Sequence, residues 1–323
     1  MTSLYVDRRD VELELDAGAI VFRENGERVG TVPVAPLTRV FLRGEVRFSA
    51  SLLGKLGEAG VGVVVLSGRQ GKPSLFLARS HGDAMRRVEQ TRLSLDAGFS
   101  LGMAREFVER KLAGQIAWFS EVRDSDMAAR YHLTRAAGQL EEMRGRIPRQ
   151  SDAAALRGLE GSAAACYFAG LRALVPESLG FTTRNRRPPR DPFNAVLSLT
   201  YVLVHSELAI ALHGAGFDPY IGFYHAIDFG RASLALDLLE PLRAVADRFA
   251  LGLFRDAVLR AEDFSQNESG CFLGKAGRSR YYVAYEAAHG VLRKAATAEV
   301  ARLAGRIGHA PEGVPEGPRA HAA

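Results

Sequence analysis

Residues 83–122, DAMRRVEQTRLSLDAGFSLGMAREFVERKLAGQIAWFSEV, are where the chain changes its grammar. Within them Phe107, Leu112, Ile116 and Phe119 recur at steps of three to five, the spacing of one helical face. Upstream the period is two. VELEL at 11–15 sets Val11, Leu13 and Leu15 against Glu12 and Glu14, as a strand with one wet face requires. SLYVDR, AIVFREN, RVGTVPV and RVFLRG read as further short strands, with turns at Ala-Gly 17–18, Asn-Gly 25–26 and Arg-Gly 43–44. The segment 49–60 predicts a short helix stopped by glycine, 61–67 a buried β-branched strand, and 74–80 another strand. Beyond residue 85 strand signals almost vanish, and helical patterns run over 125–145, 151–172, 191–214, 231–261 and 279–304. The expected fold class is α+β. A small β-rich N-terminal domain over 1–82 precedes a larger all-α domain over 83–305, and a Gly/Pro/Ala-rich tail, 306–323, is expected to be disordered.

The bulk composition agrees with that division. The chain has 323 residues, 47% of them hydrophobic, enough for one large core or two smaller ones. A net charge of +5 permits a polyanionic partner without demanding one. Cys166 and Cys271 lie far apart and form no C-x-x-C pair, so no zinc site is signalled. Cys166, in the small-residue run SAAACYF, is expected to be buried and reduced. The N-terminal residues do not read as a signal peptide, and the apolar run 195–204 is too short to cross a bilayer. A soluble, cytoplasmic protein with no membrane partner is expected.

Three stretches carry potential chemistry. In GFYHAIDFGRASLALDLLEPLR, residues 222–243, Asp237 and Glu240 are spaced i, i+3. On one helix that spacing puts them on one side, roughly 5–6 Å apart at Cβ, where a divalent cation would relieve their repulsion. Asp-Phe-Gly at 228–230 can form a turn, which would fold His225 back toward the same face. The same residues also suit a solvated carboxylate pair beside a core histidine. In LRGLEGSAAACYF, 156–168, Glu160 stands between two glycines on a stretch that admits a close neighbouring helix. A Glu buried there needs a partner, and a cation is one candidate; a surface Glu on an Ala-rich helix is the other reading. In RNRRPPRD, 184–191, Arg184, Arg186, Arg187 and Arg190 sit on a proline-stiffened loop suited to phosphates, or simply to solvent. Asp191 and Pro192 read as an N-cap and first helical position, with Asn194 in the first turn. Tyr201 and His205 follow on the same helix, where core packing is the default. No Walker-type loop, G-x-S-x-G elbow or Rossmann fingerprint occurs.

Taken together, LEGSAAACYF, the run NRRPPRDPFNAVLSLTYVLVHSELAIALHGAGFDPYIGFYH and the following ALDLLEPLR resemble the CRISPR-associated endonuclease-integrase family, the catalytic subunit of spacer acquisition. The resemblance covers about residues 4–300. It implies a metal-dependent DNA endonuclease and integrase that inserts foreign DNA as new spacers by 3′-hydroxyl transesterification. Glu160, His225 and Glu240 match the family's ligands for Mg²⁺ or Mn²⁺, and Asp237 matches the first member of its acidic pair. The family often has Asp where this chain has Glu240. Some relatives carry a Tyr near the site where this chain has His205, which leaves Tyr201 as a possible substitute. Asn194 matches a recurrent Asn. The loop 184–190 together with Arg248, Lys275, Arg278 and Arg280 are the implied DNA contacts. The implied partners are double-stranded DNA, a second copy paired through the β domain, a small ferredoxin-like adaptation subunit, and a separate or fused end-trimming nuclease. A stand-alone nuclease for branched DNA and a non-catalytic DNA-binding scaffold are the rival readings. A di-iron carboxylate oxidase is set aside, because it requires two Glu-x-x-His motifs on facing helices and the chain has only Glu286–His289.

Overall fold

The structure is a computed structural model that describes residues 2–68, 72–76, 83–186 and 188–307. The expected strand residues 77–80, the domain boundary at 82, Arg187 and the tail from 308 lie outside the described residues. The N-terminal strands are β1 (Thr2–Asp7), β2 (Val11–Asp16), β3 (Ala19–Glu24), β4 (Glu27–Pro33), β5 (Leu37–Arg43), β6 (Val46–Phe48), β7 (Gly62–Ser67) and β8 (Lys72–Phe76), with helix α1 (Ala50–Glu58) between β6 and β7. They make two four-stranded sheets, ordered β1-β5-β7-β8 and β4-β3-β2-β6. In the first, β1, β5 and β7 are parallel and β8 is antiparallel. The Asn25–Gly26 turn has both residues at positive φ, the twist that a two-residue hairpin needs. Alternation then does what the sequence implies. Val40 and Leu42 of β5 pack with Val11, Leu13 and Ile20 of the other sheet and Leu52 and Leu56 of α1. Phe41, between them, faces the other way, into the core of the helices.

The helices are α2 (Ala84–Leu95), α3 (Ala97–Arg123), α4 (Arg130–Arg146), α5 (Ala153–Arg172), α6 (Pro192–Gly214), α7 (Ser233–Leu239), α8 (Arg243–Arg255) and α9 (Lys275–Ile307). The expected α+β class holds. The opening stretch is two helices, because the Asp96 carboxylate turns aside to cap α3 by accepting from the Phe99 amide at 2.8 Å. α6 is the central post. It starts as expected, with Asp191 accepting from the Asn194 amide at 2.8 Å and Pro192 in the first turn. By length and composition α6, expected over 191–214, could cross a membrane where the run 195–204 alone could not; most of its apolar window is buried inside the protein.

Four expectations are corrected. The helix expected over 231–261 is broken after Leu239, where Pro241 supplies no amide for the helical ladder and Glu240–Leu242 forms a tight turn between α7 and α8. Strands do occur late in the chain: β9 (Phe264–Asn267) and β10 (Gly270–Leu273) form an antiparallel hairpin. α9 runs through Ile307, past the expected start of the tail. Both cysteines are free, and Cys166 is half-buried rather than buried.

Candidate active site

The segment 219–225 wraps over the start of α7 and delivers its amides to one carboxylate. Asp237 is fully buried. Its Oδ2 accepts from the amides of Phe223 at 2.7 Å and Tyr224 at 3.1 Å. Its Oδ1 accepts from the His225 amide at 2.8 Å and lies 2.7 Å from the His225 Nδ1. Gly222 permits this wrap, because a Cβ there would sit 2.8 Å from Asp237 Oδ2 and 2.9 Å from Ser233. The expected turn is present, with the Arg231 amide bonded to the Asp228 carbonyl at 3.2 Å and Gly230 at positive φ. Asp237 is therefore corrected from a cation-holding partner of Glu240 to the residue that orients His225. With Nδ1 directed at a carboxylate, the imidazole presents Nε2 as its remaining ligand position.

Glu240 goes elsewhere, as the C-cap of α7 and first residue of the tight turn that follows. Its carboxylate is buried between two cations. Arg243 donates to it twice, at 2.6 and 2.8 Å, and Lys111 of α3 approaches to 2.7 Å. Burial opposes the charged form of Glu240, but Arg243 and Lys111 outweigh it and hold the carboxyl well below its usual range. Lys111 also pairs with Glu160 of α5, so one ammonium bridges two carboxylates from separate elements. Behind Glu240, the Arg243 guanidinium lies 4.7 Å from the Tyr201 ring centroid. The Tyr201 hydroxyl bonds to buried Asp247, which also accepts from Tyr167 at 2.8 Å. Tyr201 is thus engaged in holding the frame, and His205 stands with Nε2 3.4 Å from the Ala232 carbonyl.

Glu160 and Glu240 thus meet at Lys111, and His225 follows Tyr224, whose ring borders that region. Tyr224 marks its floor: its hydroxyl is buried without a hydrogen-bond partner. Burial first, then the charges of Glu160 and Glu240, raise its phenol far above the ordinary value. Among the described residues no three His, Cys, Asp or Glu side chains converge on a ready-made metal centre. The position between Glu160 and Glu240 instead holds the Lys111 ammonium, a stand-in for a cation. Two hard oxygen donors around a positive charge are a donor pair that suits a hard divalent cation. The glycines beside Glu160 do not serve as expected. Gly158 and Gly161 have open space around them; the close helix approach is at Gly170, where a Cβ would meet Ala136 at 2.7 Å and Phe119 at 2.8 Å.

The basic residues divide into two groups. Arg184 is drawn inward, donating to Asn194 Oδ1 at 2.7 Å and Ser198 at 3.1 Å, and burial lowers its pKa to about 10. Asn194 is fully buried and latches the loop, accepting from the Asn185 amide at 3.1 Å and donating to the Thr183 carbonyl at 2.9 Å. Arg278 pairs with Asp7, and Arg280 with Asp263. All four make contacts within the chain, Arg184 and Asn194 inside the loop and exposed Arg280 at the surface. Arg186, Arg190 and Lys275 are exposed, and Arg248 pairs with exposed Glu121 at 2.6 Å. Lys111, Arg243 and the hairpin were not singled out from sequence. Lys111 had a signal: with Gln115 it interrupts the apolar stripe of Phe107, Val108 and Leu112 on α3. The hairpin braces the basic loop, with the Cys271 amide donating to the Pro189 carbonyl at 2.8 Å and Gln266 donating to the Arg190 carbonyl at 2.9 Å.

Fold and site define a class: a two-sheet β platform joined to a helical body that brings two acidic side chains together at a lysine and carries an Asp-oriented histidine. The profile of the family described as CRISPR associated protein Cas1 matches residues 4–287, and the chain belongs to that family. It is 38% identical over 291 residues, 88% of its own length and 91% of the relative's, to a CRISPR-associated endonuclease Cas1 from Thermodesulfovibrio yellowstonii. Its fold matches a Cas1 protein from Thermotoga maritima with a TM-score of 0.83 at 23% identity, over 94% of this chain and 96% of the other. It also matches a chain of a Cas6-RT-Cas1–Cas2 complex with a TM-score of 0.79 at 22% identity, over 95% of this chain and 35% of the other. At those identities the two structures speak to the fold.

Proposed function

We propose that the chain is the metal-dependent endonuclease-integrase of CRISPR spacer acquisition, with Glu160, Glu240 and His225 as its cation ligands. The carrying observation is the seat between Glu160 and Glu240, filled by a buried ammonium; His225, oriented by Asp237, is the third ligand proposed. A divalent ion held there would polarise the scissile phosphodiester and make the attacking hydroxyl more acidic. The chain's own groups do the rest. Asp237 fixes the His225 ring, Arg243 keeps Glu240 ionised, and Tyr224 offers a hydroxyl donor at the floor of the site. Exposed Arg186 and Arg190, on the loop braced by the hairpin, supply cations for the phosphate backbone. Exposed Lys275 and the solvent-facing Arg248 extend that basic surface.

In strand transfer the 3′-hydroxyl of a DNA fragment attacks a target phosphorus in line. A new phosphodiester forms, the target P–O3′ bond breaks, and the target strand leaves with a free 3′-hydroxyl. Water in place of that hydroxyl gives cleavage. Two insertions require two sites, which favours a homodimer paired through the β-rich domain at 1–82 and catalysis by the helical domain at 83–305. Large apolar side chains at the sheet edges, Val29 on β4 and Phe76 on β8, are exposed and suit such pairing. A small ferredoxin-like adaptation subunit, an end-trimming nuclease and a cytoplasmic location complete the reading. The test is joining of a labelled 3′-hydroxyl duplex to a supercoiled repeat-bearing plasmid, with the partner subunit, in Mn²⁺, Mg²⁺ or EDTA. Label should join only with metal, and Glu160→Ala and His225→Ala should each abolish joining. Cutting or binding without joining under every metal condition would replace this reading with a stand-alone nuclease or a scaffold.

A further inference from the structure

We propose that Lys111 is a built-in competitor for the divalent cation, a positioning residue that sets the affinity of the site. This rests on the reading of Glu160, Glu240 and His225 as cation ligands. Lys111 rises from the buried stripe of α3, with its side chain only 5% exposed. Its ammonium bonds to Glu160 on α5 and lies 2.7 Å from Glu240 on the turn after α7. Three elements that share no local sequence are therefore pinned together by one positive charge. In that state the two carboxylates are already balanced, Glu160 by Lys111 and Glu240 by Lys111 and Arg243.

Adding a divalent ion beside the ammonium would place like charges within a few ångströms in a buried setting, where screening is weak. Entry of the ion therefore displaces Lys111. Glu240 tolerates the exchange because both Arg243 bonds remain. Glu160, whose side chain is 22% exposed, is the carboxylate on the open side and the one first released to the incoming ion. The lysine thus keeps the ligands gathered without metal, at the cost of weaker metal binding. The same displacement frees an ammonium beside the place where substrate phosphate would lie.

The test is Mn²⁺ binding to the full chain, counted from the free-ion electron paramagnetic resonance signal, with unfolding midpoints measured in EDTA and in Mn²⁺. Lys111→Met should tighten Mn²⁺ binding at least tenfold. It should lower the midpoint in EDTA and widen the rise that Mn²⁺ produces. Lys111→Gln, which keeps a neutral donor and guards against a misfolded first variant, should move affinity in the same direction by less. Unchanged or weaker Mn²⁺ binding in both variants, with wild type binding normally, overturns the competitor role. If neither wild type nor variants bind Mn²⁺, the cation-site reading itself falls and Lys111 is a permanent ion pair. Glu160→Gln separates the cases, because it must weaken Mn²⁺ binding wherever the site is real.

Discussion

Asp237 and Glu240 stand three apart, and their separate fates decide how the site works. Asp237 spends both oxygens on donors from 223–225. An amide cannot repeat this: Asp237→Asn must turn its NH₂ against either the Phe223 and Tyr224 amides or the two His225 donors. Leaving buried donors unpaired costs about 1–3 kcal/mol each. Loss of an orienting partner behind a metal-ligating histidine typically lowers affinity or activity about 10–100-fold. The variant should therefore unfold at lower urea and join DNA at least tenfold more slowly; wild-type joining at reduced stability would show that the His225 orientation is not needed. Glu160, His225 and Glu240 stand out in the sequence as ligand candidates because their residue types and contexts are distinctive. The sequence does not mark Lys111, whose partner Glu160 lies 49 residues away and is chosen by how α3 packs on α5. Nor does RNRRPPRDPFN reveal that Arg184 donates to Asn194 and that Asn194 accepts from the Asn185 amide inside the loop.

Elements were legible in proportion to their length and period. α5 and α6 repeat apolar residues over five or more turns, and their extents follow from it. The hairpin of β9 and β10 was not legible, since FSQN and GCFL are four residues each and carry little β-branched content. The Pro241 break was written in the sequence but masked by the apolar run on both sides. The turn 219–225 depends on a single residue in a way that pattern does not reveal. Gly222→Ala would push a methyl into Asp237 Oδ2 and the Ser233 backbone, contacts that only main-chain movement relieves. Overpacking of this kind costs about 1–3 kcal/mol. The movement would also lengthen the three amide bonds to Asp237. Urea unfolding should register the loss of stability, and Mn²⁺ affinity should fall with it. Intact affinity in the destabilised variant would mean that the turn supports the fold and not the histidine.

At the scale of the molecule, the sequence suggests two cores on either side of residue 82, and the structure joins them. Phe41, Val64 and Leu66 of the first sheet belong to the helical core, while the other faces of β5 and β7 close a smaller one with α1. The joint is specific. Tyr5 of β1 stacks on Phe41 at 4.9 Å and on Tyr282 of α9 at 4.8 Å. Glu286, one turn along α9, accepts from the Ser3 amide at 2.9 Å. A platform fastened this firmly can carry a pairing interface to the active site as one body, which two insertions at a fixed spacing require. Wild type should therefore melt in a single calorimetric transition. Removing an aromatic ring from such a joint costs about 3–5 kcal/mol, so Tyr5→Ala should separate the platform from the helices. Calorimetry should then resolve two transitions, the sheets melting first. The variant should retain Mn²⁺ binding in the helical body and lose DNA joining that needs both sites in register. One transition shifted to lower temperature would instead show that the smaller core does not stand without the joint.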